Sequence, residues 1–399
     1  MEKLTALINQ HDAPWCLVLG LFSPTGLSIV RSLGSHGVRV LGMCRKGHAL
    51  GRVSRHCTAF LPYGDKAGLL HLLKELGSQL SKPLPVLVES DDLAMFMDQH
   101  RQELKDKYRF HWQEGLSLSE ITPKAAMIQL ARQAGIPVPG SVVGGDIQAV
   151  ERAGLRFPVF VKPQYNRGPK GLLAGDMSEL ALASYNEMFA DGYLVQEIVP
   201  GPDENIYAVG CYSDRQGRVL AATAGRKRRQ MPRGFGTAAF AEGVDCQPVI
   251  ELSKRLIRQI GYYGPADVEF KKSARDGEFM FIEINYRVCG FNELYSKQGL
   301  DLAYISYLDL CGKDFQKYLP AHQGPARWMS VLDDLHTVLA QFKGAEGYSL
   351  NKWLKDLKRT NCFAVLSRHD PLPFLVYVLK YVWRALRSNL GRWPKHGNK

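Results

Sequence analysis

No Cys-x-x-Cys pair occurs in this chain of 399 residues, whose eight cysteines are scattered singly. Zinc ribbons and dithiol redox motifs therefore have no framework here. No run of about 18 apolar residues is present, which excludes an ordinary transmembrane helix. Met1 to Asp12 is polar, and the apolar run Trp15-Cys16-Leu17-Val18-Leu19 is too short for the hydrophobic region of a secretory signal. A cytoplasmic setting with reduced thiols is the expectation. The turn after that run carries glycines at 20 and 26 only, not Gly-x-Gly-x-x-Gly, which argues against a NAD-dependent oxidoreductase. Internal repeats, low-complexity segments, zinc fingers and ribonucleoprotein aromatic pairs are also missing. The formal net charge of +12 is thus not read as a nucleic-acid footprint. Its distribution agrees. Between Lys352 and Lys399 eleven Lys and Arg face two Asp, which places +9 of the excess in the tail. The remainder is near neutral apart from Arg226-Lys227-Arg228-Arg229.

What is present is an ordinary globular composition, 45% apolar, at a length that predicts two or three domains. The most informative segment is Phe279-Met280-Phe281-Ile282-Glu283-Ile284-Asn285-Tyr286-Arg287. Its aromatic and β-branched content predicts a strand. Glu283, Asn285 and Arg287 are spaced by two, on one face of the pleat. A carboxylate and an amide oxygen suit a hard cation, and a guanidinium suits a phosphoryl group. Upstream, Asp267-Val268-Glu269-Phe270-Lys271 alternates and is followed by the turn-rich Ser273-Ala274-Arg275-Asp276-Gly277. This predicts a β-hairpin that brings Glu269 near Glu283 and Asn285. Three oxygen ligands could then hold one or two Mg2+, or Mn2+, against ATP. On these residues alone, a structural hairpin with solvent-facing acids is an equal reading.

Further pieces precede the hairpin. Phe157-Pro158-Val159-Phe160-Val161-Lys162-Pro163 reads as a strand ending in Lys-Pro, followed by the glycine-bearing loop Asn166 to Gly171, a candidate phosphate cradle. Tyr193 to Val199, containing Gln196-Glu197, runs into Pro200-Gly201-Pro202-Asp203-Glu204. With Gly135-Ile136-Pro137-Val138-Pro139 before them, the order of Lys-Pro strand, Gln-Glu hinge, Pro-Gly-x-x-Glu turn, Glu-Phe strand and Glu-x-Asn-x-Arg strand resembles the ATP-grasp superfamily. The resemblance covers roughly residues 120 to 312. Leu19 to Leu27, Arg226 to Pro232 and Asp370-Pro371-Leu372-Pro373 further resemble bacterial ATP-grasp carboxylate–amine ligases, with D-aspartate ligase a more distant relative.

The resemblance implies the following roles. Lys162 would contact the ATP phosphates, with Lys124 as a second candidate, although Pro123-Lys124 stands where relatives have Asp-Lys. Gln196, Glu197 and Val199 would line the adenine, largely through backbone groups, and Glu204 would bind the ribose. Glu269, Glu283 and Asn285 would hold Mg2+, and Arg287 the transferred phosphoryl group. Tyr286 replaces a proline common between the Asn and the Arg. Arg226 or Arg229 would clamp a substrate carboxylate or the γ-phosphate. Strand alternation sends 227 and 229 to one face and 226 and 228 to the other, and the sequence does not choose between the faces. Cys289 is read as packed rather than catalytic.

The implied architecture is mixed α/β and α+β. A Rossmann-like pre-ATP-grasp domain occupies 1–118, the ATP-grasp domain 119–325, and a basic helical C-terminal extension 326–399. Within the first, Trp15 to Met43 reads as a βαβ unit. Pro85 to Asp92 reads as a later strand with Asp91 and Asp92 at its ligand-binding end; one of them, or Ser90, would cap the next helix. Thr122 is expected to cap a helix from Pro123 to Ala134. Phe374 to Leu390 reads as an apolar helix with Lys380, Arg384 and Arg387 on a narrow stripe. It fits peripheral contact, through 374–399, with an anionic inner membrane face, or a packed helix whose basic stripe meets water. The expected activity is ADP-forming ligation of a small carboxylate to an amine. The alternatives are an ATP-grasp kinase and a membrane-tethered nucleotide-binding regulatory protein.

Overall fold

The structure, a computed structural model, describes the chain except residues 11–13, 46–48, 144–146, 165–171, 181–192, 235, 320–324, 342–348 and 391–399. The first sheet is parallel and has the order β3-β2-β1-β4-β5. Its strands are β1 (Trp15–Leu19), β2 (Arg39–Arg45), β3 (Cys57–Tyr63), β4 (Leu84–Val88) and β5 (Tyr108–Arg109). Every residue of β1 and β4 is buried, as continuous apolar runs in a two-faced parallel sheet require. The helix Pro24–Ser35 follows β1, with the Ser23 hydroxyl accepting from Gly26 N, and buries Leu27, Ile29, Val30 and Leu33. The strand order reverses between β1 and β4, so their carboxyl ends form a crevice of the kind in which open α/β sheets bind ligands.

A small antiparallel sheet, order β6-β9-β7-β8, contains β6 (Ser141–Val143), β7 (Val159–Pro163), β8 (Leu172–Ala174) and β9 (Tyr193–Glu197). The Lys-Pro strand and the Gln-Glu strand lie side by side in it, with Lys162 opposite Leu194. The loop Asn166 to Gly171 lies outside the described residues.

The large sheet has the order β14-β13-β10-β11-β12-β15-β16. It contains β10 (Ile206–Ser213), β11 (Val219–Met231), β12 (Thr237–Val244), β13 (Gly264–Lys272), β14 (Phe279–Asn285), β15 (Arg327–Met329) and β16 (Cys362–Phe363). The helix Gln247–Ile260 packs on it through Val249, Ile250, Ser253, Leu256, Ile257 and Ile260, the spacing of one helical face. The chain after 326 is not wholly helical. β15 pairs with β12 and β16 with β15, so two very short strands extend the large sheet. Segments of two or three residues show no period in a sequence, which is why the expectation was of helices alone.

The C-terminal chain is fixed to the rest by buried charge. Arg31 Nε lies 2.9 Å from Asp370 Oδ2, which also accepts from the Ser54 hydroxyl at 2.7 Å, while Asp370 Oδ1 accepts from Arg55 N at 3.0 Å. Arg229 reaches Asp334 with Nε at 2.6 Å and Nη2 at 2.8 Å, and Asp356 with Nη1 at 3.0 Å. Trp353 Nε1 also donates to Asp334 at 3.0 Å. Removing one member of such a group strands the others away from water. Asp334→Ala should therefore lower the unfolding free energy by about 3–5 kcal/mol in urea denaturation; a loss below about 1 kcal/mol, the range of surface pairs, would contradict this account.

Candidate active site

Two extended strands build the acidic side of the site. β13 and β14 pair antiparallel, with Glu269 opposite Glu283 and Asp267 opposite Asn285. The hairpin turn closes through Ser273 N to Glu278 O at 2.8 Å, with Gly277 at positive φ. Three carboxylates and one amide thus stand at neighbouring positions near the end of β14. Asp267 is buried and accepts a 2.7 Å bond from the Tyr295 hydroxyl. Burial raises its carboxyl above the usual range.

Lys227 answers this charge from β11. Its ammonium lies 2.7 Å from Glu269 Oε2, and both side chains are largely buried. Burial works against the lysine charge, but Glu269 outweighs it and holds the ammonium above its ordinary value. One lysine does not balance three acids. Burial, reinforced by Glu283 and Asp267, pushes the Glu269 carboxyl up to about 7 despite Lys227.

Lys162 on β7 faces the same acids from the small sheet. Burial pushes its ammonium down to about 8; Lys124 adds to that, while Glu283 and Glu269 oppose it. Lys124, buried at the start of helix Lys124–Gln133, is likewise lowered by burial and held up by Glu283 and Asp91. The helix start is joined to β7 directly. Lys124 N donates to Gln164 O at 3.1 Å, and Ala125 N to Gln164 Oε1 at 3.0 Å. Gln164 therefore does the capping expected of Thr122, which instead ends the preceding helix Leu118–Ile121. A residue distant in sequence supplies the cap, so no local pattern announces it.

Arg287 sits just past β14. Its Nη2 donates to Asn285 Oδ1 at 3.1 Å and to Asp91 Oδ2 at 3.0 Å, and Asp91 Oδ1 accepts from Tyr286 N at 3.3 Å. Asp91 keeps the guanidinium above its ordinary value although burial opposes it. Arg287 Nε is buried with no hydrogen-bond partner. Of the two aspartates after β4, Asp91 faces the site, Asp92 pairs with Lys66 at 2.8 Å, and Ser90 caps the helix Asp91–Gln99. Beside them Glu89 accepts from the Ser23 hydroxyl at 2.8 Å and from Ser23 N at 3.2 Å. A Cβ on Gly20, which has φ +86°, would come within 2.3 Å of the Glu89 side chain. The glycines of the first turn thus admit a carboxylate of the chain itself.

The remaining candidates are spread around this centre. Gln196 is buried and donates to the Ser141 hydroxyl at 2.9 Å. Glu197 N donates to Gly140 O at 2.8 Å, and its Oε1 accepts from Arg156 N at 2.8 Å. Val199 is buried past the end of β9, and Glu204 lies in the single turn Asp203–Asn205. Arg226 and Arg229 are not brought to the acids. Arg226 donates through Nε to Glu204 O and lies over the Tyr207 ring, while Arg229 holds Asp334 and Asp356. The reason is a bulge. Lys227 pairs with Ala241 and Arg229 with Phe240, so Arg228 is an extra residue and the alternation breaks. Lys227 and Arg229 consequently leave opposite faces, and Lys227 is the basic residue that sequence reasoning passed over. Cys289 is buried, and burial holds its thiol well above the usual range, so it is packed as expected.

Among the described residues, no cluster of three or more His, Cys, Asp or Glu is gathered tightly enough to hold a metal by itself. Glu269, Glu283 and Asn285 could supply only part of a shell, as would suit a Mg2+ that takes its other oxygens from phosphates and water.

A family model for the ATP-binding domain of carbamoyl-phosphate synthase L chain matches residues 237–308, which include both acid strands. D-aspartate ligase of Enterococcus faecium is 23% identical over 255 residues, 59% of this chain and 60% of that protein, so the match spans less than two thirds of the relative. N5-carboxyaminoimidazole synthetase from Staphylococcus aureus, solved in complex with ADP, superposes with a TM-score of 0.63 at 13% identity, covering 85% of this chain and 88% of that one. L-amino acid ligase from Bacillus licheniformis gives 0.59 at 15% identity over 77% of each chain. The acid-bearing hairpin and the lysine strand facing it thus stand in a fold shared with ATP-grasp proteins, and residues 237–308 match the ATP-binding domain model.

Proposed function

We propose that this protein is an ADP-forming ligase that activates a carboxylate as an acyl phosphate with Mg2+ and ATP and joins it to an amine. The observation that carries the reading is the convergence of Lys162 and Lys124 from one side on Glu283 and Glu269 from the other, with Asn285 and Arg287 behind. Lysines suited to phosphates and acids suited to a divalent cation are each half of a nucleotide clamp. The similarity to D-aspartate ligase supports the ligase reading over a kinase.

In this reading Lys162 and Lys124 bind the phosphates, and Gln196, Glu197, Val199 and Glu204 bound the nucleoside. Glu269, Glu283 and Asn285 hold one or two Mg2+, which would spread the charge of the phosphates. Arg287 stands where charge develops on the transferring phosphoryl group, and its unpartnered Nε offers a donor there. Lys227 keeps Glu269 in place. The roles of Arg226 and Arg229 become structural. A carboxylate oxygen attacks the γ-phosphorus and ADP leaves; the amine nitrogen then attacks the acyl carbon, phosphate leaves and a proton is released. Residues 1–118 would serve as a Rossmann-like pre-ATP-grasp domain, with Asp91 tying its ligand edge to Arg287. Residues 119–325 would form the clamp, with 326–399 added to it.

Glu283→Gln and Asn285→Ala should each lower ADP-forming turnover by about 10²–10³ while leaving the melting temperature close to that of wild type. Near-normal turnover of both at saturating Mg2+ would remove the metal assignment. Lys162→Ala should chiefly raise the KM for ATP, whereas Arg287→Ala should chiefly lower kcat, because the lysine meets ground-state phosphates. An Arg287→Ala enzyme with unchanged kcat would contradict the phosphoryl-transfer role. The reaction class is tested by ADP and phosphate release across carboxylates crossed with amines, amino acids of both hands included. Amine-dependent release supports the ligase, and carboxylate-dependent release indifferent to every amine indicates the kinase.

A further inference from the structure

The helix Leu372–Leu390 is held to the body by one face only. Phe374, Val376 and Tyr377 pack against the core, the Tyr377 hydroxyl donates to Asp333 Oδ2 at 2.8 Å, and the Tyr381 hydroxyl meets a ring nitrogen of His336. Leu372, Leu375, Leu379, Val382 and Trp383 lie on the opposite side and are 49–69% exposed. Their spacing of three, four, three and one gathers them into one stripe along the helix. The helix is not alone. Among the described residues, nine of the thirteen exposed large apolar side chains lie after residue 338, Leu350 and Leu354 of the preceding helix Leu350–Arg359 included. An exposed apolar stripe of this kind marks an interaction site rather than an ordinary exterior.

Charge decides the occupant. From Pro371 to Lys399 the sequence has six Lys and Arg (380, 384, 387, 392, 395 and 399) and no Asp or Glu. A second copy of this segment would bring six more positive charges and no Asp or Glu. An anionic surface carries the opposite charge, and aromatic side chains such as Trp383 suit the boundary between lipid and water. We propose that the stripe of helix Leu372–Leu390 docks in the plane of an anionic lipid surface, its apolar side chains among the acyl chains and the positive charge of the segment attracted to the headgroups. Among the described residues no helix is long and apolar enough to cross a membrane, so this contact lies on the surface. The helix also packs against the turn Gly51–Val53, and Gly51 N bonds to Leu21 O beside the Glu89 and Gly20 crevice. A docked helix therefore brings the ligand edge of the first sheet close to the lipid.

The test uses the full chain and vesicles of phosphatidylcholine with and without about 30% phosphatidylglycerol. The protein should co-sediment with the anionic vesicles, weakly or not at all with the neutral ones, and less as NaCl rises to about 1 M. The Leu375→Ser/Leu379→Ser double variant replaces exposed residues and should keep its melting temperature and its oligomeric state while losing at least about tenfold in partitioning. Three results would overturn the proposal. The first is no sedimentation with anionic vesicles at low salt. The second is vesicle binding that the double variant leaves unchanged. The third is a self-associated wild type, seen by analytical ultracentrifugation, that the double variant dissociates in the absence of any vesicle binding. None of these depends on the ligase reading, since no turnover is measured.

Discussion

Glu269 stands directly across from Glu283, with Asp267 one step further along the same strand, and this crowding of acid sets the terms for everything around it. Like charges at neighbouring positions on paired strands repel, and burial removes the water that would screen them. The chain supplies cations from three directions. Lys227 comes from within the large sheet, Lys162 from the small one, and Lys124 from a helix start that Gln164 ties to β7. The balance remains incomplete, because Glu269 is still pushed up to about 7 and burial still holds Lys162 down at about 8. A polyphosphate carrying a divalent cation offers negative charge to the lysines and positive charge to the acids at once. The proposed Mg2+–ATP ligand would be complementary to both groups.

The same logic links the two larger sheets. Arg287 is shared between Asn285, at the end of β14, and Asp91, past the end of β4. A guanidinium bridging two sheets makes their relative position part of the site geometry. On the other flank, Asp370 anchors the C-terminal chain to Arg31 and Ser54, and Asp334 anchors the helix Val331–Gln341 to Arg229. Charges expensive to bury are thus used where distant segments meet, and each is met by several hydrogen bonds.

Much of this could be read from the chain. The two-residue spacing of Glu283, Asn285 and Arg287, and the turn-rich loop before them, identified a hairpin whose pairing the structure contains. The Lys-Pro and Gln-Glu segments were legible as strands, and the run from Trp15 to Met43 as a βαβ unit. What escaped reading depended on tertiary placement. A one-residue bulge at Arg228 reversed the face of Arg229 and left Lys227 opposite the acids, and periodicity assumes no bulge. Asp91 and Asp92 are equivalent in sequence and separated only by which one meets Arg287. Gln164 caps a helix forty positions earlier in the chain. β15 and β16 are too short to show a period. The last helix reads from sequence as apolar with a narrow basic stripe, and only packing decides that Leu372, Leu375 and Leu379 are the residues left exposed.

The central claim is that the acid pair and the lysines are two halves of one Mg2+–ATP site, and calorimetric ATP binding with and without Mg2+ tests it most directly. Wild type should bind ATP much more tightly with Mg2+ than in excess chelator. A Glu269→Gln/Glu283→Gln variant should lose most of that difference, because the acids no longer require a cation between them and the phosphates. Equal affinity of the wild type with and without Mg2+, or an undiminished Mg2+ effect in the double variant, would contradict the account.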